Sequence, residues 1–197
     1  MALEPPHKYS TQQFLEALQL TGRLLSERGE RFDVVVIGGA NLALQHLVDR
    51  LTVDVDVVAL RNDDNAEFSC AKPLPATLEA VVTDVAEIMR LPRRWMNGAA
   101  SSDFALGLPT GYETRLHVVE YDGLVVSFAD RADIVAWKLQ AAVDNFGIQN
   151  RHLEDLARLH PSTAEISAAR SWFATVEAPD SGFWLNLESI LEGLSHG

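Results

Sequence analysis

The sequence predicts an α+β protein: a mixed sheet with flanking helices, followed by a helical bundle. Three observations predict it. Short β-branched runs alternate with helical spacing through the first two-thirds of the chain. A strand pair closed by Asp122-Gly123 ends that region, and beyond residue 129 only helical spacing remains. The expected division is therefore 1–129 for the mixed half and 130–197 for the helical half.

Residues 11–28 carry Phe14, Leu15, Leu18, Leu20, Leu24 and Leu25 at helical spacing and read as an opening helix. Val34-Val35-Val36-Ile37 is short, β-branched and continuously apolar, which suits a strand buried on both faces. Gly38-Gly39 ends it, and residues 40–48 read as a helix. The run LTVDVDVVAL, residues 51–60, reads as a second strand, and the polar, proline-bearing stretch 62–75 as a loop. Residues 78–89 set Leu78, Val81, Val82, Val85 and Met89 on one side of a helix. A turn through Trp95-Met96-Asn97-Gly98 leads to strands 114–121 and 124–128, joined by the Asp-Gly hairpin signal. Helices are expected over 131–143, 150–159, 163–176 and 183–194.

Composition excludes several classes. The chain has 197 residues, 47% hydrophobic and 22% charged, so disorder, collagen and coiled coil are ruled out as its main body. No apolar run approaches the roughly 20 residues of a membrane span, and MALEPPHKYS lacks a basic-then-apolar leader. Cys70 is the single cysteine and has no internal disulfide partner, so the expectation is a cytoplasmic protein with no membrane attachment. A net charge of −12 opposes nonspecific attraction to nucleic acid. The acid is uneven, however: residues 90–158 carry 8 Lys/Arg against 9 Asp/Glu, and the remainder 8 against 19. The near-neutral stretch, with Arg90, Arg93 and Arg94 in a run, is where a nucleic-acid end could dock. The same run also reads as a solvated turn around Pro92.

Asp54 and Asp56 sit at i and i+2 in a strand-like run, which puts both carboxylates on one face, roughly 6.5–7 Å apart along the strand. Val53, Val55 and Val57 take the other face. Two adjacent like charges repel unless a cation lies between them, and Mg²⁺ with oxygen ligands resolves the conflict. An edge strand with a solvated acidic face is the plainer explanation. Upstream, Gly38-Gly39 stands between strand and helix, where exposed backbone amides suit phosphate oxygens, although glycines there also simply permit a tight connection. Neither a G-x-G-x-x-G nor a Gly-Lys-Ser/Thr pattern is present.

Taken together, GGANLALQHLVDRLTVDVDVV resembles the motif of minimal nucleotidyltransferases of the DNA polymerase β-like superfamily, closest to the MenT and AbiEii type of bacterial toxin–antitoxin pairs. Gly38, Gly39, Arg50, Thr52, Asp54 and Asp56 fall on the family's Gly-Gly, Arg, Ser/Thr and Asp-x-Asp positions. DRADIVAWKLQAA resembles the helix carrying the family's lysine, here Lys138, and NRHLEDLARL the following segment, with Arg151, Glu154 and Asp155. RRWMNG resembles a Trp-x-Asn turn of related members. The likeness spans about residues 33–160. It implies a polymerase β-like fold and transfer of NMP from an NTP with release of pyrophosphate. Asp54 and Asp56 would hold Mg²⁺, the glycines would admit the triphosphate, and Arg50 and Thr52 would belong to the nucleotide site. Lys138 would supply a charge to the triphosphate, against the plainer role of an amphipathic lysine. Asp155 would orient Lys138 or touch the nucleotide.

One departure stands out. The family adds a third carboxylate from a later strand, and in TRLHVVEY the slot falls at His117, with Glu120 expected on the opposite face. His117 would then be a general base; Glu120 could take the role through a bulge; or the enzyme is weakened. The resemblance further implies tRNA as acceptor, with a pyrimidine nucleotide, CTP favoured, added to its 3′ end so that aminoacylation and translation are blocked. Arg93, Arg94, Arg115 and Arg151 are the candidate RNA contacts. A cognate antitoxin is implied as partner, kinase-like in MenT-type pairs, with Thr52 as the phosphorylation candidate. The competing readings are a small-molecule or protein-hydroxyl acceptor, and a binding module without catalysis. Trp95, Trp137, Trp172 and Trp184 read as packing residues rather than base-stacking platforms.

Overall fold

A computed structural model of the chain describes residues 9–47, 52–62, 67–104, 107–148 and 151–195. They form α1 (Thr11–Glu27), β1 (Phe32–Ile37), α2 (Gly38–Leu44), β2 (Val55–Arg61), β3 (Phe68–Cys70), α3 (Ala76–Met89), β4 (Met96–Asn97) and α4 (Ser101–Phe104). A 3-10 turn at Tyr112–Thr114 follows, then β5 (His117–Tyr121), β6 (Leu124–Phe128), α5 (Arg131–Asp144), α6 (Arg151–Leu159), α7 (Thr163–Val176) and α8 (Phe183–Ser195). The α+β class is as the sequence predicts. Among the described residues no helix is long and apolar enough to cross a membrane. The chain divides into two compact units, Met1–Ala105 with Leu116–Ala129, and Leu106–Arg115 with Asp130–Gly197.

The first unit is built on one mixed sheet in the order β3-β2-β1-β6-β5. β1 runs antiparallel to β2 and parallel to β6, and β5 and β6 form the hairpin closed by Asp122-Gly123. Since β1 occupies one edge of β2, the other edge is shared end to end: β3 pairs with Ala59–Arg61 and β4 with Val55 and Asp56. β3 lies inside the stretch the sequence reads as a loop. It is three residues long and lies on an outer edge, so it carries little hydrophobic pattern. β5 starts at His117 rather than 114, because residues 112–114 close a 3-10 turn.

One face of this sheet carries the core. Val34 and Val36 of β1, Val55 and Val57 of β2, and Leu124, Val126 and Phe128 of β6 pack with Phe14, Leu18 and Leu25 of α1 and Leu78, Val82 and Val85 of α3. α1 comes so close to the hairpin that a Cβ on Gly22 would overlap the Tyr121 carbonyl. The β1–β2 register slips by one residue, from Val35↔Ala59 to Val36↔Val57, so Val58 is the extra residue of a bulge. The bulge lets β2 keep Leu60 and Val57 on the core face although the doublet Val57-Val58 interrupts its alternation.

The second unit gathers helices around α5, whose residues from Asp133 to Gln140 are all buried. Aromatic rings fill it: Tyr112 meets Trp137 edge-on at 5.3 Å, and Phe173 meets Phe183 at 4.9 Å. Trp95, Trp137 and Trp172 are buried, as packing residues should be. Ser162 and Glu165 form a capping box at the start of α7, and Glu165 also pairs with Arg131 at 2.7 Å. Burial alone would raise the Glu165 pKa, but the Ser162 N–H, the Arg131 guanidinium and the Ser162 hydroxyl together hold it below the usual glutamate value. Protonation therefore favours the unfolded chain, and the contribution of Glu165 is full above the unfolded pKa and lost as pH falls through the folded one. Glu165→Gln is expected to lower stability by about 1 kcal/mol at neutral pH, in urea melts. The gap from the wild type should close as the pH is lowered below about 4.

Candidate active site

The turn from β1 into α2 and the start of β2 come together at one end of the sheet. Ile37 lies directly opposite Asp56, and the next residue, Gly38, has φ +77°. An ideal Cβ on Gly38 would stand 2.5 Å from Asp56 Oδ2. The glycine thus serves two demands at once: a left-handed backbone and a bare Cα beneath a carboxylate. Asp54 directly precedes β2 and Asp56 lies within it, with Val55 and Val57 buried in the core between and beyond them. Both aspartates are half-buried. Asp56 lies on the face away from Val55 and Val57.

Asn97 completes the cluster. It is paired with Asp56 across the β2–β4 ladder. Its amide nitrogen donates to Asp54 Oδ2 and to the Arg94 carbonyl, each at 3.3 Å, while its oxygen accepts from the Ala99 N–H at 2.8 Å. Asn97 thereby holds the Asp54 carboxylate through its amide nitrogen. Sequence reasoning did not select Asn97; the Trp-Met-Asn-Gly turn was its signal.

The remaining candidates divide sharply. Thr52 is 6% exposed, is bridged to Tyr9, and directs its hydroxyl to the Asp54 carbonyl at 3.4 Å. Arg50 lies outside the described residues. His117 is placed differently from the expectation. It stands opposite Phe128, a core-face residue, and lines a groove of about 280 Å³ with Leu15, His46 and Tyr121. That is the sheet face opposite Asp56, and three strand spacings separate β5 from β2, about 14 Å. Glu120, expected on the opposite face from the site, is instead on the same face as Asp56, since its partner Val125 alternates with the core residues Leu124 and Val126. It lies toward the far end of β5, 3.5 Å from Arg31. The two expectations for β5 are thus reversed, because the hairpin register places odd-numbered residues of β5 over α1.

In the second unit Lys138 donates to Asp155 Oδ2 at 2.7 Å, both side chains being buried. Of the two roles the sequence left open for Asp155, holding Lys138 is the contact present. Arg115, a candidate RNA contact, is bound in a two-pronged pair to Asp133, at 3.1 and 2.6 Å. Burial raises the Asp133 pKa, and the hydrogen bond from Arg115 opposes that shift. Arg115 is thereby committed to its own unit. Arg151, the first residue of α6, is exposed, as are Arg93 and Arg94 of the first unit.

A mixed sheet that presents two carboxylates beside a glycine turn is a nucleotidyltransferase-like arrangement. Residues 13–157 match a family model described as a nucleotidyltransferase of unknown function (DUF6036), and the chain belongs to that family. No curated protein and no solved structure matches it.

The donor set can be tested against the metal that such chemistry implies. Asp54 and Asp56 offer hard oxygen ligands, and Mg²⁺ is commonly held by one or two carboxylates with substrate phosphates and water. The residues fit. Among the described residues no group of three or more His, Cys, Asp or Glu gathers as a larger metal cluster. Gly38→Ala should force the β1–α2 turn out of its conformation and press on Asp56. The expected loss is about 1–3 kcal/mol in thermal or urea denaturation, whereas Gly29→Ala, in open space at φ +70°, should lose only the backbone part of that cost.

Proposed function

We propose that this chain transfers a nucleotide from an NTP to a hydroxyl acceptor at the Asp54–Asp56 site, the acceptor being the 3′ end of tRNA and CTP the favoured donor. The observation that carries the transfer chemistry is the fit of the Asp56 carboxylate over the bare Cα of Gly38, with Asp54 alongside. The tRNA acceptor, the pyrimidine preference and the role as a toxin held in check by an antitoxin rest on the resemblance of residues 38–58 and 129–160 to MenT and AbiEii enzymes.

Mg²⁺ held by Asp54 and Asp56 would neutralise charge on the triphosphate. Gly38 and Gly39 leave the turn without side chains, so the phosphates can approach its backbone. Asn97 keeps the Asp54 carboxylate in orientation. The acceptor oxygen attacks the α-phosphorus, the bond to the β-phosphate oxygen breaks, and pyrophosphate leaves. His117 faces the other side of the sheet and is not placed to take the acceptor's proton, which passes to solvent. Lys138, to which the resemblance assigns a charge for the triphosphate, is buried in the second unit and held there by Asp155. A second reading, a nucleotide-binding module without transfer, is favoured by one observation: neither His117 nor Glu120 stands beside the aspartates.

Incubation with Mg²⁺, each labelled NTP in turn and total bacterial tRNA decides between them. The expected outcome is label at the tRNA 3′ end, strongest with CTP, and a loss of about a thousandfold in Asp54→Ala or Asp56→Ala. NTP binding without transfer to any acceptor establishes the binding module, and label on a small molecule or protein moves the acceptor. Thr52 carries a regulatory prediction. A phosphate on its hydroxyl would add two charges beside the aspartates and repel the triphosphate. Thr52→Glu should weaken NTP binding by tenfold or more, on the order of 1.4 kcal/mol, in calorimetric titration, while Thr52→Val binds as the wild type does.

A further inference from the structure

A groove of about 640 Å³ lies in the first unit between the segment leaving β3, the first half of α3 and the turn that carries β4. Val82 and Met96 lie on its apolar floor, and among the described residues Lys72, Arg93 and Arg94 line it against a single acid, Glu79. In a chain of net charge −12, a cleft with three cations to one anion is an exception in sign. All three cationic side chains belong to exposed residues. Asn97 and Gly98 also line the groove, and Asn97 touches Asp54. Its walls meet closely there: a Cβ on Gly98 would overlap the Ala71 carbonyl. Asn97 is therefore common to the lining of the basic cleft and to the carboxylate pair.

We propose that this groove holds the phosphodiester backbone of the acceptor strand, a single-stranded RNA end, with Lys72, Arg93 and Arg94 as its phosphate contacts and the terminal hydroxyl directed past Asn97 to Asp54 and Asp56. The inference rests on the nucleotidyl-transfer reading and specifies where its acceptor lies. The occupant follows from charge and shape. A cationic drug is repelled by three cations, and a protein hydroxyl has no repeating negative charge to match them. A sugar–phosphate chain supplies anions at the rim and apolar ring faces to the floor. The groove also separates the candidate RNA contacts: Arg93 and Arg94 belong to it, and Arg115, bound to Asp133, does not.

The test is an anisotropy titration of a fluorescein-labelled single-stranded oligoribonucleotide and of labelled tRNA, over about 50–200 mM salt. The proteins are the wild type, Arg93→Ala/Arg94→Ala, Arg93→Lys/Arg94→Lys and Arg23→Gln, the last a change at an exposed α1 arginine away from the groove. The Ala pair is expected to bind RNA at least tenfold more weakly. Its log–log salt slope should be shallower by about 1.4, some 0.7 for each lost phosphate contact. The Lys pair should keep the wild-type slope, and Arg23→Gln should match the wild type. NTP affinity, read separately by calorimetry, is expected to be unchanged in all. Wild-type RNA affinity and slope in the Ala pair would overturn the groove while leaving nucleotidyl transfer standing, if the wild type still labels tRNA. An equal loss of NTP and RNA binding would also overturn it, because the groove would then serve the donor. A wild type that binds NTP but no RNA would remove the groove and the RNA acceptor together.

Discussion

The close approach of the Asp56 carboxylate to Gly38 is the constraint on which the rest of the site depends. It joins two segments that are distant in sequence, the turn after β1 and the start of β2, and it works only where the turn has no side chain and a positive φ. The antiparallel pairing of β1 and β2 brings Ile37 opposite Asp56, and the bulge at Val58 allows that pairing while keeping both strands' valines in the core. Sheet register, glycine and carboxylate are three parts of one solution. Two acids that would be a liability on a core strand are placed where the strand leaves the core.

Much of this was legible in the sequence, and the reasons are specific. Val34-Val35-Val36-Ile37, the Asp122-Gly123 turn and the heptad-like faces of α1 and α3 announce their elements because burial dictates their pattern. The alternation around Asp56 gives its face directly. β3 and β4 were not legible: three- and two-residue strands on a sheet edge carry no periodicity of their own. Asn97 was hidden for the same reason, since its importance comes from the pairing of β4 with β2. The placement of His117 failed for a different cause. Alternation tells which residues share a face but not which face, and only the hairpin register with β6 settles that.

The second unit shows charge used in another way. Lys138 with Asp155 is a buried ion pair, and Arg115 reaches from a half-buried position to the buried Asp133. Such pairs add little net stability compared with apolar packing, yet losing one member leaves the other uncompensated. They fix side chains in place. In Arg115 the same device withdraws a guanidinium from any external partner, so equal residue types in one sequence window end with different availability.

Trp95 carries a consequence for how this protein can vary. Fully buried, it stacks on Phe14 at 6.1 Å and donates its indole N–H to the Val82 carbonyl at 3.0 Å. Two residues later comes Asn97. The loop that orients Asp54 is thereby hung from the hydrophobic core by one ring. Neutral drift in the packing of α1 or α3, of the kind most proteins absorb silently, is transmitted here to the chemistry.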